Sequence, residues 1–137
     1  MKNSLLILSA VFVLLGCQPA QQAQTWKDGV YRAESDTFQN KWKEVVEITV
    51  TNGKISAVTW DAINEDGGPN KDQLSREGGY KMVELGGAKA EWHEQADIVE
   101  AWLVANQSLT APDAITGASI KYKNFFELAA KALSVAK

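Results

Sequence analysis

Apolar and polar residues alternate most clearly along two runs, Lys43–Val50 and Ile55–Ala62, which meet at Thr51-Asn52-Gly53-Lys54. A period of two marks strands with one buried face. Asn-Gly between such runs favours a type I′ turn, whose twist matches the strands and closes a two-residue hairpin. A turn of that kind fixes the register. Val50 then faces Ile55, Ile48 faces Ala57 and Val46 faces Thr59, forming one apolar face. The opposite face carries Thr49 with Ser56, Glu47 with Val58 and Val45 with Trp60, polar near the turn and apolar away from it. Either the sheet is covered on both sides at that end, or an apolar ligand lies against it. The same register sets Glu44 against Asp61, an unfavourable pair of like charges, so the pairing is expected to end or bulge before that point.

The rest of the chain adds one more strand pattern and several helical ones. Asp28–Ser35 opens on a turn-like Asp-Gly and continues as a short strand. Asn64–Gln73 is a loop by composition, and its acids do not match the spacing of a calcium loop. Tyr80, Met82 and Val83 suggest a short helix between Gly78-Gly79 and Gly86-Gly87. From Lys89 to Gln107 the period becomes helical, with Trp92, Ala96, Val99 and Leu103 on one stripe and Trp102 beside it. His93 lies off that stripe, has no second ligand candidate nearby and reads as a surface residue. Ile120–Ala136 is helical again, with Tyr122, Phe126, Ala129 and Leu133 on one face and Phe125 adjacent. Strands and helices are segregated, so the expected fold class is α+β: a small antiparallel sheet with a tight hairpin, packed against two or three helices.

The N-terminal residues belong to a different regime. Lys2 precedes an apolar stretch from Leu5 to Gly16, the layout of a secretory signal whose centre is short for a membrane span. It ends in Leu14-Leu15-Gly16-Cys17, which resembles the bacterial lipobox. That resemblance implies a diacylglycerol on the Cys17 sulfur and a mature chain beginning at Cys17. The expected location is the extracytoplasmic face of the cell membrane or an outer membrane, with membrane lipid as a partner. Each buried methylene contributes about 0.8 kcal/mol, so two or more acyl chains anchor stably. Residues 1–16 are thus read as the leader, 17–27 as the lipidated cysteine and a tether, and 28–137 as one folded domain. The segment from Gln18 to Lys27 would reach roughly 30 Å when extended.

Cys17 is the only cysteine. Once it is acylated, disulfides, cysteine-bound metals and thiol catalysis are excluded from the folded part. With Lys2 removed, 13 basic residues stand against 17 acidic ones, a formal charge of −4. No basic patch stands out, so nucleic acid is not an expected partner, and no metal site is expected.

Ahead of the last helical pattern stands Asp113-Ala114-Ile115-Thr116-Gly117-Ala118-Ser119. The ordinary reading is a helix start, with Ser119 as N-cap, Gly117 in a turn, and Thr116 and Asp113 bonded locally to backbone. The stretch also resembles the D-x-x-(S/T)-G-A-(T/S) signature of the FMN-binding domain. That domain occurs in the flavin-carrying subunits of sodium-translocating NADH:quinone reductase and in small bacterial lipoproteins. Asp28–Glu34, Lys41–Gly67 and Gly78–Glu84 look like successive blocks of the lipoprotein branch. With the C-terminal helix they cover nearly the whole mature chain.

The resemblance implies FMN as cofactor, joined by a flavin transferase through a phosphodiester to the hydroxyl of the last signature residue. Here that residue is Ser119, where the family more often has threonine. Gly117 and Ala118 would leave room beside the acceptor. Thr116 would bond backbone or phosphate, and Asp113 would serve the modification step or orient the loop. The phosphate is expected at the N-terminal end of the 120–136 helix, where free N–H groups and the helix dipole favour an anion. Lys121 and Lys123 would add screening. The ring needs an apolar, partly aromatic slot, and Trp60, Tyr80 and Met82 are the candidates, with core packing the other reading for each.

The function so implied is a membrane-anchored electron carrier with unidentified redox donor and acceptor. No constellation for substrate turnover is visible, so the chain is not expected to be an enzyme on its own. The alternative is a surface lipoprotein that binds FMN or another small ligand non-covalently, in a sensory, structural or immunogenic role without electron transfer.

Overall fold

The structure, a computed structural model, describes residues 25–137. The leader, the Cys17 lipidation site and most of the tether lie outside the described residues. Three strands, β1 (Gly29–Glu34), β2 (Trp42–Thr51) and β3 (Lys54–Asn64), form one antiparallel sheet in the order β1-β2-β3. Asn52 and Gly53 both take left-handed φ, 52° and 74°, as the type I′ turn requires. Four helices follow: α1 (Lys71–Arg76), α2 (Met82–Gly86), α3 (Trp92–Asn106) and α4 (Lys123–Leu133). The fold is α+β, with the two longer helices against one face of the sheet. α4 packs on β1 and β2, while α3 runs along β3.

The hairpin register departs from the expected one at a single point. Val50 pairs with Ile55, but a bulge then shifts the partners, so that Thr49 pairs with Ala57, Val46 with Trp60 and Glu44 with Ala62. An extra residue in one strand turns every later side chain on that strand to the other face. Trp60 therefore joins Val46, Ile48, Val50 and Ile55 in the core, where it is 2% exposed. Its expected place on the second face is corrected, and Glu44 no longer opposes Asp61. Val45 remains on the outer face and is buried there, in a small hollow edged by Arg32, Asp61 and Ile63.

β3 is an edge strand, and unpaired edges invite association. α3 covers it with two side chains. Gln107, at the left-handed C-terminal cap of α3 (φ 54°), receives the Ile55 N–H at 2.9 Å and donates to the Ile55 carbonyl at 2.8 Å. Glu100 accepts the Trp60 backbone N–H at 2.6 Å. The core itself joins the sheet to Trp92, Ala96, Val99 and Leu103 of α3 and to Phe125, Phe126, Ala129 and Leu133 of α4.

Two element boundaries differ from expectation. Residues 71–73, read as the end of a loop, instead open α1, which runs to Arg76. Its sequence carries no apolar stripe, and its stability is tertiary: Asp61 accepts the Asp72 N–H at 2.9 Å, and Arg76 pairs with Asp72 at 2.8 Å and Asp97 at 2.7 Å. The last helix begins at Lys123 rather than Ile120. The N–H groups of Ser119 and Ile120 are bound by the side chain of Gln95 on α3, at 2.7 and 3.1 Å. That cross-link holds the segment out of the helix, so Ser119 is not its N-cap.

Candidate functional site

A cleft of about 610 Å³ lies at the end of the sheet where β2 starts and β3 finishes. Its size falls in the range of about 300–1,000 Å³ usual for small-molecule sites. Trp42 and Glu44 enter from β2, Trp60 from β3, Lys71 from the start of α1, and Trp92 from the start of α3. Tyr80 and Met82 close one side. Ile120 and Lys121 close another, with Lys123, Asn124 and Glu127 of α4.

The aromatic residues around the cleft contact one another in two groups. The Trp60 ring meets Trp92 edge-on at 5.5 Å between centroids and lies 5.0 Å from Phe125. Tyr80 meets Trp42 edge-on at 6.0 Å. The Lys71 ammonium stands among three rings, 4.7 Å from the Tyr80 centroid, 5.2 Å from Trp92 and 5.6 Å from Trp42. Ring faces carry negative charge density, which holds a cation there without a carboxylate. The indole N–H of Trp60 is buried and has no hydrogen-bond partner in the protein, an arrangement uncommon in folded chains.

The rest of the rim is fixed by short polar links. Asn124 donates to Glu44 at 2.7 Å and to Ser35 at 3.1 Å, tying α4 to the sheet. Glu91 accepts the Met82 and Val83 N–H groups at 2.8 and 3.2 Å. It thereby binds two of the N–H groups that open α2 and positions Met82, whose N–H also lies 3.2 Å from the Tyr80 carbonyl. Behind Trp60, burial pushes the Glu100 carboxyl up to about 7, and the nearby Asp97 and Asp72 push the same way; the Trp60 N–H and Arg76 oppose this.

The 113–119 stretch forms a separate small turn next to the cleft. Ile115 and Ala118 pair across Thr116-Gly117, and the Ala118 N–H donates to the Ile115 carbonyl at 3.1 Å. Gly117 has φ +90°, a conformation that favours glycine, and a Cβ there would stand 2.9 Å from the movable end of the Ile98 side chain. Asp113, Thr116 and Ser119 are exposed. The Ser119 hydroxyl donates to Gln95 Oε1 at 3.0 Å, beside the two backbone N–H groups on the same oxygen.

The structure thus brings Trp60, Tyr80 and Met82 together in one cleft and sets Ile120 and Lys121, which directly follow Ser119, on its rim. Asp113, Thr116, Gly117, Ala118 and Ser119 do not line it. The helix N-terminus expected beside Ser119 is not there, because α4 starts at Lys123. His93, expected at the surface, is half-buried: its Nδ1 lies 2.9 Å from the hydroxyl of the buried Ser75. Sequence reasoning missed Trp42, Lys71 and Gln95. Only Gln95 left a signal, since it is a polar residue three positions after Trp92 and four before Val99, inside the apolar stripe. Such a residue needs an internal partner. Among the described residues, no three His, Cys, Asp or Glu side chains are grouped to hold a metal ion, and no helix is long and apolar enough to cross a membrane.

No protein-family model matches the chain, and no curated protein matches it. Two solved structures are similar. One is the solution NMR structure of a Clostridium thermocellum protein, 58% identical, with a TM-score of 0.60, covering 81% of this chain and 92% of that one. The other is the crystal structure of a Clostridium perfringens protein, 28% identical, with a TM-score of 0.67, covering 81% of this chain and 88% of that one. The three share a small α+β fold. At 58% identity over most of both lengths, the chain belongs to the same family as the Clostridium thermocellum protein.

Proposed function

We propose that this chain is a lipid-anchored extracytoplasmic flavoprotein that carries electrons through FMN, esterified to Ser119 and held by its ring in the aromatic cleft. The observation that carries the reading is the convergence of Trp60, Tyr80 and Met82 on one cleft whose rim is the segment directly after Ser119.

The residues present fit the group. The wall offers the partly exposed rings of Trp42 and Tyr80, backed by the buried Trp60 and Trp92, and Lys71, Lys121 and Lys123 for an anionic ligand. Bound FMN would supply one- and two-electron chemistry; the protein supplies binding, orientation and charge. Trp42, Tyr80 and Met82 exclude water from one side of the slot. Lys121 and Lys123 take over the anion stabilisation that the helix N-terminus does not provide. Gln95 fixes the backbone of the acceptor residue. A carbonyl oxygen has two lone pairs, and two backbone N–H groups already share them. The Ser119 hydroxyl is the third and dispensable donor, so loss of its proton on esterification leaves the loop anchored.

Tether and cleft sit at opposite ends of β2. Trp26 enters the fold beside the hairpin turn, its N–H donating to the Gly53 carbonyl at 3.3 Å. Trp42, at the other end of the strand, lines the cleft. Nine steps of extended chain separate the two ends by roughly 30 Å. An anchor at Cys17 would then hold the domain by the end remote from the flavin.

A second reading, non-covalent FMN in the same cleft, is favoured by one observation: the Ser119 hydroxyl is turned toward Gln95 and does not itself line the cavity. The test is intact mass after denaturation, together with the visible spectrum, of the full chain co-produced with a flavin transferase. Covalent FMN predicts added mass that Ser119→Ala abolishes while leaving the fold intact. Colour without added mass selects the second reading, and a colourless protein of unmodified mass refutes both.

A further inference from the structure

We propose that Lys71 is the charge that sets the redox preference of the ring held in this cleft, an inference that rests on the flavin assignment above. An ammonium on a cleft wall ordinarily reaches water or a carboxylate. Lys71 does neither in full: it is half-buried, and its Nζ stands over the faces of Trp42, Tyr80 and Trp92. Among the described residues no carboxylate lies within salt-bridge distance of it; of the lysines that line the cleft, Lys123 has one in Glu127. Its position is fixed at both ends. As the first residue of α1, it precedes Asp72, whose N–H is bound by Asp61, and its three rings come from three separate segments. The cage therefore presents a positive charge without a carboxylate in salt-bridge contact, in a cavity whose rim also carries Glu44, Glu127, Lys121 and Lys123.

An oxidised flavin ring is neutral. Two electrons and one proton leave it with one net negative charge. A fixed cation at the slot favours that state over the neutral one. The aromatic cage keeps the cation in place without neutralising it, which an acidic partner would do. Lys71 thus acts on the cofactor as a positioning charge and takes no proton or bond in the reaction.

The test uses the full chain co-produced with a flavin transferase, titrated potentiometrically with dithionite as electron donor and followed by the flavin spectrum. Lys71→Met keeps the stem in its cage and removes the charge; Lys71→Arg keeps the charge. Lys71→Met is expected to shift the reduced-to-oxidised equilibrium at least tenfold toward the oxidised form, about 30 mV downward for a two-electron couple. Lys71→Arg is expected to stay close to wild type. Failure of Lys71→Met alone to acquire flavin assigns the cation to loading and overturns the claim that it sets the redox preference. An unchanged potential in a flavin-loaded Lys71→Met protein overturns the inference and leaves the flavin reading standing, as do equal shifts in both variants. A wild-type protein that carries no flavin overturns the reading and the inference together.

Discussion

Gln95 is the joint between the longest helix and the candidate attachment loop, and its removal makes a quantitative prediction. The side chain is 1% exposed. Its Oε1 accepts the N–H groups of Ser119 and Ile120 and the Ser119 hydroxyl, and its Nε2 donates to the Ala90 carbonyl at 2.9 Å. Gln95→Leu conserves most of the volume and removes all four bonds. The exposed hydroxyl turns to water at little cost. Each backbone N–H left without a partner costs about 1–3 kcal/mol. Partial hydration of a loosened loop and the gain from a buried leucine offset part of this. The net loss is expected at about 2–4 kcal/mol. Urea unfolding should register it as a lower midpoint at unchanged slope, since the surface exposed on unfolding is nearly the same. Amide exchange at Ser119 and Ile120 should rise well above that of the α3 core. Gln95→Glu keeps the acceptors and loses the bond to Ala90, so its stability should fall between those of wild type and Gln95→Leu. A Gln95→Leu protein within about 1 kcal/mol of wild type, with both amides still protected, would refute the claim that this side chain holds the loop.

Two further perturbations test the covered edge of the sheet. Glu100 has its carboxyl raised to about 7, chiefly by burial. Between about 4.5 and 7 the unfolded chain releases that proton while the folded one keeps it, so this group makes stability fall as pH rises. A fully buried carboxyl so displaced would carry about 3 kcal/mol; partial exposure reduces this to about 1–2 kcal/mol. Glu100→Gln should match wild type near pH 4 and exceed it by that amount at pH 8, and parallel stability-versus-pH curves for the two proteins would contradict the assignment. Gln107→Ala removes the paired bonds to Ile55. It should cost about 1–3 kcal/mol and raise concentration-dependent association in light scattering, because the edge of β3 is bared. An unchanged unfolding midpoint and a monomeric profile would count against the edge-covering role.

The apolar faces of the two longer helices and the hairpin turn were legible in the sequence because each rests on local chemistry. Asn52-Gly53 dictates its own turn, and Trp92, Ala96, Val99 and Leu103 state their shared face by spacing alone. The bulge after Ile55 was not legible at its position. Nothing local distinguishes Ser56 from its neighbours, and the sequence offered only a symptom: Glu44 set against Asp61, and an unexplained apolar end to the outer face. One inserted residue separates Glu44 from Asp61 and moves Trp60 into the core and into the wall of the cleft, while Val45 stays on the outer face. The start of α4 failed for the opposite reason. Ile120 onward is a sound helical pattern, and a side chain from 25 positions earlier overrides it. The cleft shows the same division of labour. Trp60, Tyr80 and Met82 were chosen for chemistry, as residues able to face a flat apolar ring. Lys71 was hidden inside a polar loop, because what distinguishes it is three rings brought from three other segments by the fold. A site of this kind announces its apolar half in composition and conceals its charged half in topology. The charged half is also the part that would decide which state of a bound cofactor is favoured, so the potential shift in Lys71→Met bears on function more directly than any change in the aromatic wall.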